Sequence, residues 1–352
     1  MATSWLTGKS VLVTGASGTV ATGLITQVLA TQPRVIRALD SHEHGLFQLQ
    51  QRLGERDEMR WLLGDIRDYG RLRRAMDGID VVFHTAALKH VTIGEYNPFE
   101  IVQTNLVGLQ NVINAALENN VELVVFTSSD KAVNPSNAMG ASKLMGERLM
   151  AAANEMRGRA RTRFTSVRFG NILGSNGSVV EVFLGQIARG GPITLTDRRM
   201  TRFVMGLDTA VRLVLRAAEI SVGGEVFVLK MPALRIIDLA EVMIRHLAPR
   251  YDRRPESVGV VEIGVKLGEK LHEELLAESE VQSAYEDEEL IVYLGDRQDA
   301  KAIRDREYLR AMRPVTQVYH SGRIPLMTPA EIEQFLLHIG ILEPTRVAEG
   351  IA

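Results

Sequence analysis

Over the first 170 residues, short apolar runs alternate with stretches whose apolar positions recur every three or four residues. The runs are Ser10–Thr14, Arg34–Leu39, Met59–Leu63, Val81–His84, Leu123–Ser128 and Arg163–Phe169. They are nearly continuous rather than alternating, the pattern of strands covered on both faces in a parallel sheet. Between them, Thr19–Ala30, Gly45–Leu53, Tyr69–Met76, Pro98–Glu118 and Ala138–Glu155 carry helical periodicity. Strand and helix alternating through short connections predict an α/β fold on a Rossmann-type, doubly wound parallel sheet.

After Gly170 the rhythm changes. Glycine and serine cluster over Gly174–Ser178, a helix follows at about Val179–Arg189, and Gly190, Gly191 and Pro192 break it. Leu207–Ala218 (helix) and Glu225–Leu229 (strand) read as a return to the main sheet. From about Met231, helices and short strands mix with many charges, and Thr328-Pro329-Ala330-Glu331 has the form of a capping box with proline at the first helical position. The expected organisation is a larger domain over 1–170 plus about 207–230, and a smaller interleaved C-terminal domain over about 171–206 and 231–352.

Composition narrows the classes. With 45% hydrophobic and 24% charged residues the chain is ordinary for a globular protein, and a net charge of -2 provides no basic face for nucleic acid or anionic lipid. Any anionic ligand must meet a local cluster of cations. The absence of cysteine excludes disulfides, zinc–thiolate sites and cysteine nucleophiles, and fits a reducing compartment. Met1–Lys9 lacks the basic and apolar pattern of a signal peptide, and no apolar run approaches the ~20 residues that span a bilayer. A cytoplasmic location without membrane insertion is expected.

Thr14-Gly15-Ala16-Ser17-Gly18-Thr19-Val20-Ala21 falls where the first strand gives way to the first helix. Gly15 permits a tight turn, Gly18 lets a pyrophosphate approach the backbone, and the helix N-terminus supplies N–H groups and positive dipole. Ala21 replaces the third glycine and is still small enough for close helix–strand packing. The alternative is a βα turn with no ligand. Asp40 ends the second strand, where an acid takes the adenosine ribose hydroxyls, which favours NAD over NADP. Arg37, His42 and His44 lie close enough in sequence to offer a cation to a 2′-phosphate. Asp65 suits either an adenine contact or the N-cap of the helix at Tyr69.

Thr127-Ser128-Ser129-Asp130-Lys131 follows the fifth strand, at the carboxyl end that faces the ligand crevice in open α/β sheets. An adjacent acid and amine there can share proton-transfer work; the plainer alternative is a surface turn with two solvated charges. Lys143 lies one helical turn beyond Met139. By residue type alone, Met139 reads as packing.

These segments resemble the extended short-chain dehydrogenase/reductases, and within them the UDP-N-acetylglucosamine 4,6-dehydratases of bacterial polysaccharide and glycan synthesis. The resemblance is carried by TGASGTVA, GDIRD, HTAALKHV, TNLVG, SSDKAVNPSNAMGASK, RFGNILGSNGSV, TDRRMTRF and GEKLHEELL, in order from about Val11 to Leu276. It implies that the larger domain binds NAD or NADP through Thr14, Gly15, Ser17, Gly18, Thr19, Val20, Asp40, Asp65, Ile66, Ala86, Ala87, Lys89, Asn105 and Lys143. It further implies that Lys89, His90, Asn171, Ser178, Val179, Arg202 and Lys270 bind a UDP-sugar, with no metal. Lys143 would hold the nicotinamide ribose and lower nearby pKa values. Ser129 would hydrogen-bond near the sugar C4 hydroxyl, and Asp130 and Lys131 would be the acid and base of an elimination.

The general fold family carries a tyrosine four residues before the lysine. Here Met139 stands there and cannot transfer a proton; the same methionine occurs in membrane-linked and capsule-type branches of these dehydratases. The C4 base then falls to Asp130 or Lys131, through Ser129 or water. The implied reaction oxidises C4, removes the C5 proton, eliminates the C6 hydroxyl and returns the hydride to C6, with retention or inversion at C5 left open. A UDP-sugar 4-epimerase and a non-catalytic NAD(P)-sensing protein are the rival readings. A homo-oligomer, dimer or larger, is expected through the Pro98–Glu118 and Ala138–Glu155 helices.

Overall fold

The computed structural model describes residues 4–175, 177–295 and 306–343, and the chain divides into two compact units. The first comprises Met1–Phe169, Asp208–Lys230 and Leu275–Val318. Its strands β1 (Ser10–Thr14), β2 (Val35–Asp40), β3 (Met59–Leu63), β4 (Val81–His84), β5 (Leu123–Thr127) and β6 (Arg163–Arg168) run parallel in the order β3-β2-β1-β4-β5-β6. Val226–Leu229 adds a seventh parallel strand beside β6. Every residue of β1, β4 and β5 is buried, as the continuous apolar runs require of strands covered on both faces. Strand order reverses between β1 and β4, so their carboxyl ends flank the crevice where doubly wound sheets take ligands.

The helices of this unit are α1 (Thr19–Leu29), α2 (Glu43–Leu53), α3 (Tyr69–Ala75), α4 (Val91–Tyr96), α5 (Pro98–Ile101), α6 (Gly108–Glu118) and α7 (Ala138–Met156). Leu72 of α3 and Leu109, Val112 and Ile113 of α6 share a core with Leu12, Val82 and Val124 of the sheet. The Pro98–Glu118 pattern is not one helix. A π-helical stretch, Val102–Val107, separates α5 from α6, and within it the Asn105 amide donates to Leu88 O (3.0 Å) and Ser142 Oγ (2.9 Å) while accepting from Leu88 N (2.8 Å). Such widened turns occur where side chains are drawn to a neighbouring element.

Leu275–Val318 belongs to the first unit, whereas the sequence pattern placed it in the C-terminal domain. The reason is strand pairing. Leu290–Tyr293 runs antiparallel to Val226–Leu229, Ala284–Glu286 pairs next, then Arg313–Pro314, giving ten strands among the described residues. The charges that make this stretch look superficial are tied down: Arg216 pairs with Asp287 (2.6 Å) and Glu289 (2.9 Å), and Lys230 with Glu286 (3.0 Å).

The second unit comprises Gly170–Leu207, Met231–Glu274 and Tyr319–Ala352. Thr201–Met205 pairs antiparallel with Ala233–Arg235 and parallel with Asn171–Ile172. Helices Val179–Arg189, Ile236–Leu247 and Pro329–His338 bury Phe183, Ile187, Leu239, Met243, Ile332 and Leu336 in a core of its own. Thr328 Oγ1 accepts from Glu331 N (3.3 Å) and Glu331 Oε2 accepts from Thr328 N (2.7 Å), completing the capping box. Within the Gly174–Ser178 cluster, Asn176 lies outside the described residues.

Candidate active site

β1 ends at Thr14, and Gly15 turns the chain at φ +68°, a conformation that side chains resist. A Cβ on Gly15 would lie 2.7 Å from Ala86 Cα, so the exits of β1 and β4 approach too closely for any side chain. Gly18 is the N-cap of α1 and places no side chain over the first turn, where Thr19 and Val20 are half-buried. Asp40 Oδ2 accepts from Ser17 N (2.9 Å) and Ser17 Oγ (2.7 Å), and its Oδ1 accepts from His42 N (2.9 Å). A carboxylate is thereby fixed beside the turn. Arg37 is committed elsewhere, donating from Nη1 to Ala75 O (2.8 Å) and Asp77 O (2.6 Å) at the end of α3.

Asp65 does not cap that helix. The N-cap of α3 is Asp68, which accepts from Arg71 N (2.9 Å). Asp65 instead clamps Arg67 (2.6 Å), and that hydrogen bond holds its carboxyl below the usual range. Ile66 is buried against Gly108, where a Cβ would lie 2.7 Å from its Cδ1. Ala86 and Ala87 are half-buried in the segment after β4, whose next residue, Leu88, is pinned at both backbone groups by buried Asn105. Lys89 and His90 follow as exposed residues, His90 being the N-cap of α4.

At the exit of β5 the chain stays pinned to β6, through Ser128 N to Val167 O (2.7 Å) and Asp130 N to Phe169 O (3.1 Å). Ser129 Oγ (2.8 Å) and Lys131 Nζ (3.0 Å) both donate to Asp130 Oδ1. Asp130 is only 1% exposed, and its Oδ2 is buried without a partner among the described residues. These are not the solvated charges of a surface turn. The start of α7 holds the loop: Asn137 Oδ1 caps Gly140 N (2.8 Å), Glu95 Oε1 accepts from Ala138 N (2.6 Å), and a Cβ on Gly140 would overlap Lys131 O.

Met139 and Lys143 are both buried on α7. Lys143 Nζ donates to Thr127 O (2.8 Å) and stands 4.7 Å over the Phe126 ring. Burial pulls its pKa down to about 8, against the opposing pull of Glu147. His84, at the end of β4, shares a 2.7 Å hydrogen bond with Thr14 Oγ1; burial first, and Lys143 second, lower its pKa to about 3, so the ring is neutral. Glu147 accepts from Ser128 Oγ (2.6 Å) and from Arg168 (2.7 and 3.0 Å), and Arg168 also reaches Glu280 (2.8 and 2.9 Å). None of His84, Glu147, Arg168 and Glu280 was singled out from sequence. The signals were Glu147 four residues after Lys143 and an arginine ending an apolar strand.

In the second unit, Arg202 is no surface cation. It is 8% exposed, its Nη1 donates to Thr201 O (2.8 Å) and Leu271 O (3.2 Å), and its Nη2 to Lys270 O (2.9 Å). The guanidinium therefore organises the backbone at Lys270, itself half-buried. Asn171 Oδ1 and Ser178 Oγ are buried and unpartnered among the described residues; Ser178 is the N-cap of the helix whose first residue is Val179. Among the described residues no acidic, histidine or cysteine cluster is arranged to hold a metal.

A doubly wound sheet with a glycine turn at its switch point, a Ser-Asp-Lys segment at the exit of β5 and a buried lysine on the next helix is the architecture of the extended short-chain dehydrogenase/reductases. A family model described as "Polysaccharide biosynthesis protein" matches residues 11–294, and the chain belongs to that family. A Methanocaldococcus jannaschii protein named as an uncharacterised membrane protein is 48% identical over 284 residues, 81% of this chain and 85% of its own. A Campylobacter jejuni protein named UDP-N-acetylglucosamine 4,6-dehydratase (inverting) is 39% identical, with 79% of this chain and 80% of that one covered. A Rickettsia conorii UDP-glucose 4-epimerase is 36% identical, covering 78% and 80%. The X-ray structure of Pen from Bacillus thuringiensis superposes with a TM-score of 0.87 at 40% identity, over 95% of this chain and 98% of that one. Among the described residues no helix is long and apolar enough to cross a membrane.

Proposed function

We propose that the protein is a sugar-nucleotide 4,6-dehydratase that converts UDP-N-acetylglucosamine to a UDP-4-keto-6-deoxy sugar. The observation that carries this reading is the shared oxygen of Asp130: one buried carboxylate bonded to both Ser129 Oγ and Lys131 Nζ. A plain dehydrogenase needs one proton relay at the alcohol, whereas an elimination needs a base and an acid together. The relatives named as 4,6-dehydratases support it.

NAD(P) fits the residues present. Gly15 leaves a cradle that a Cβ would fill, Gly18 leaves the first turn of α1 open to a pyrophosphate, and Asp40 is the acid for the ribose, which favours NAD. Held there, NAD(P) would supply a hydride acceptor for the sugar C4 and a hydride donor for C6. Lys143 keeps one N–H on Thr127 O and offers the others to the nicotinamide ribose. Moving one proton along the Lys131–Asp130 hydrogen bond turns the ion pair into a neutral amine and a neutral acid. With C4 a ketone, Lys131 removes the C5 proton. Asp130 protonates the C6 oxygen as its bond to carbon breaks, and water leaves. Met139 contributes no proton, so before the elimination the C4 hydroxyl loses its own to the Ser129–Asp130–Lys131 group, which releases one proton to solvent and is left as the neutral amine and neutral acid. After the elimination the Lys131 ammonium returns a proton to C5 as hydride reaches C6, and the pair takes one proton back from solvent. We assign the UDP moiety to Asn171, Ser178, Val179, Arg202 and Lys270, on the support of the two unpartnered polar atoms and the two cations.

NMR of the product from UDP-N-acetylglucosamine in deuterated water tests this. The expected result is a 4-keto-6-deoxy sugar deuterated at C5, with exchange abolished by Lys131→Ala while nucleotide binding survives. A C4 epimer without C5 deuterium would make the protein an epimerase. Cofactor binding without turnover of any UDP-sugar would make it a sensor.

A further inference from the structure

Four ionisable side chains lie buried behind the exit of β5: Glu147, Arg168 and Glu280 in one hydrogen-bonded chain, and Lys143 within electrostatic reach of Glu147. Lys143 (6% exposed) and Arg168 (0%) are cations, and Glu147 (4%) and Glu280 (8%) are anions. Glu147 follows Lys143 by one turn of α7, on the same helix face. Arg168 spends its guanidinium on both carboxylates and on Leu275 O (2.9 Å). Glu280 Oε2 accepts in addition from Ala277 N (2.9 Å), which fixes the carboxylate to the short Glu278–Val281 helix. The dehydration chemistry uses only Lys143 of the four.

The four charges add to zero, and removing any single one leaves a net buried charge. Arg168 by itself matches one carboxylate, so with Glu147 alone the buried set would carry an unbalanced ammonium, the costly case in a low-dielectric interior. We infer that Glu280 is a positioning residue for Lys143: acting through Arg168 and Glu147, it keeps the buried set neutral and so keeps the amine protonated at neutral pH. The inference rests on the reading that places Lys143 at the cofactor ribose. Other groups around Lys143 leave this role open. His84 on β4 is neutral, Thr127 offers a carbonyl, Phe126 a ring, and Asp130 and Lys131 pair with each other. Burial pulls Lys143 toward deprotonation near neutral pH, and Glu147 opposes it. The same Glu147 carboxylate holds Ser128 Oγ, so the network also reaches the residue beside Ser129.

The test follows the Cε signal of Lys143 in the full-length protein labelled with 13C-lysine, assigned with Lys143→Arg, from pH 6 to pH 11. Glu280→Gln should move the titration midpoint to lower pH by on the order of one pH unit, and Glu280→Asp, which keeps the charge, should restore most of it. Glu147→Gln should lower the midpoint further and supplies the answer if Glu280→Gln does not fold. A purely structural staple predicts lower thermal stability in the variants with the Lys143 midpoint unmoved, and that result overturns the inference. The alkaline limb of kcat with UDP-N-acetylglucosamine should shift to lower pH with the midpoint, while KM stays within about twofold. If the wild type does not turn over that substrate, the functional reading fails and the NMR titration still decides the role of Glu280.

Discussion

Lys143 keeps its ammonium out of water, and burial takes its pKa from the ordinary 10.5 to about 8. At ~1.4 kcal/mol per tenfold, that difference is about 3 kcal/mol set against folding whenever the amine is charged. The sign follows from the depressed value. Below pH 8 the amine is protonated in both states and the cost is complete. Between about 8 and 10.5 the unfolded chain binds more protons, so stability rises with pH and the cost disappears. Lys143→Met should abolish turnover and remove the rise in stability above pH 8, because the amine that titrates there is gone. It should bring no gain at pH 7, since Arg168 is then left facing both Glu147 and Glu280 with one buried negative charge in excess. Urea unfolding of both proteins at pH 7 and pH 10 checks it; a variant whose stability climbs between pH 8 and pH 10 as steeply as the wild type's refutes it. The adjacency of Asp130 and Lys131 was legible in the sequence. Their burial and their shared oxygen were not, because both depend on Phe169 O and on α7, elements brought in by the fold.

At the scale of elements, the apolar runs identified each parallel strand of the first unit to within a residue or so, since burial on two faces leaves little choice of side chain. They missed α4, six residues long, and they merged α5, the π stretch and α6, because the widened turn follows from Asn105 binding Leu88 and leaves no mark on apolar spacing. Gly140 is informative for the same reason. Alanine in a helix is favoured over glycine by roughly 0.5–1 kcal/mol, but a Cβ at 140 overlaps the Lys131 carbonyl, which is backbone and cannot rotate away. Gly140→Ala should thus shift the Asp130–Lys131 segment, lowering kcat at least tenfold with a smaller effect on nucleotide binding. Gly185 in Val179–Arg189 is the control. Its nearest neighbour is the flexible Arg189 guanidinium at 3.4 Å, and Gly185→Ala should raise the unfolding midpoint with activity retained. Equal behaviour of the two variants in a kinetic and thermal comparison would show that the contact with Lys131 is immaterial.

At the scale of the molecule, sequence reading found two interleaved parts but assigned the third segment of the first unit to the second. A stretch dense in charges looks like surface, and nothing local announces that Leu290–Tyr293 pairs with a strand some sixty residues earlier. What secures the return of this segment is itself charged. Arg306 donates to Glu225 Oε1 (3.1 Å) and Gly223 O (2.9 Å), and Tyr308 OH adds a bond to the same oxygen (3.1 Å). The Glu225 side chain is 0% exposed and that of Arg306 7%, unlike the Arg212–Glu289 pair at 47% and 39%. Dielectric decides between them: an exposed pair is worth at most about 1 kcal/mol, whereas removing one partner of a buried pair strands a charge and costs about 3–5 kcal/mol. Arg306→Met should accordingly destabilise the protein by several times as much as Arg212→Met, read from urea midpoints. Adding Glu225→Gln to Arg306→Met should recover part of the loss, because without Arg306 the buried carboxylate keeps neutral donors, Val222 N (2.9 Å), Gly223 N (2.7 Å) and Tyr308 OH (3.1 Å) among them, and no countercharge among the described residues. If the double variant is as unstable as the sum of its parts, the anchor is a matter of packing, and the charge is incidental to how the segment finds its unit.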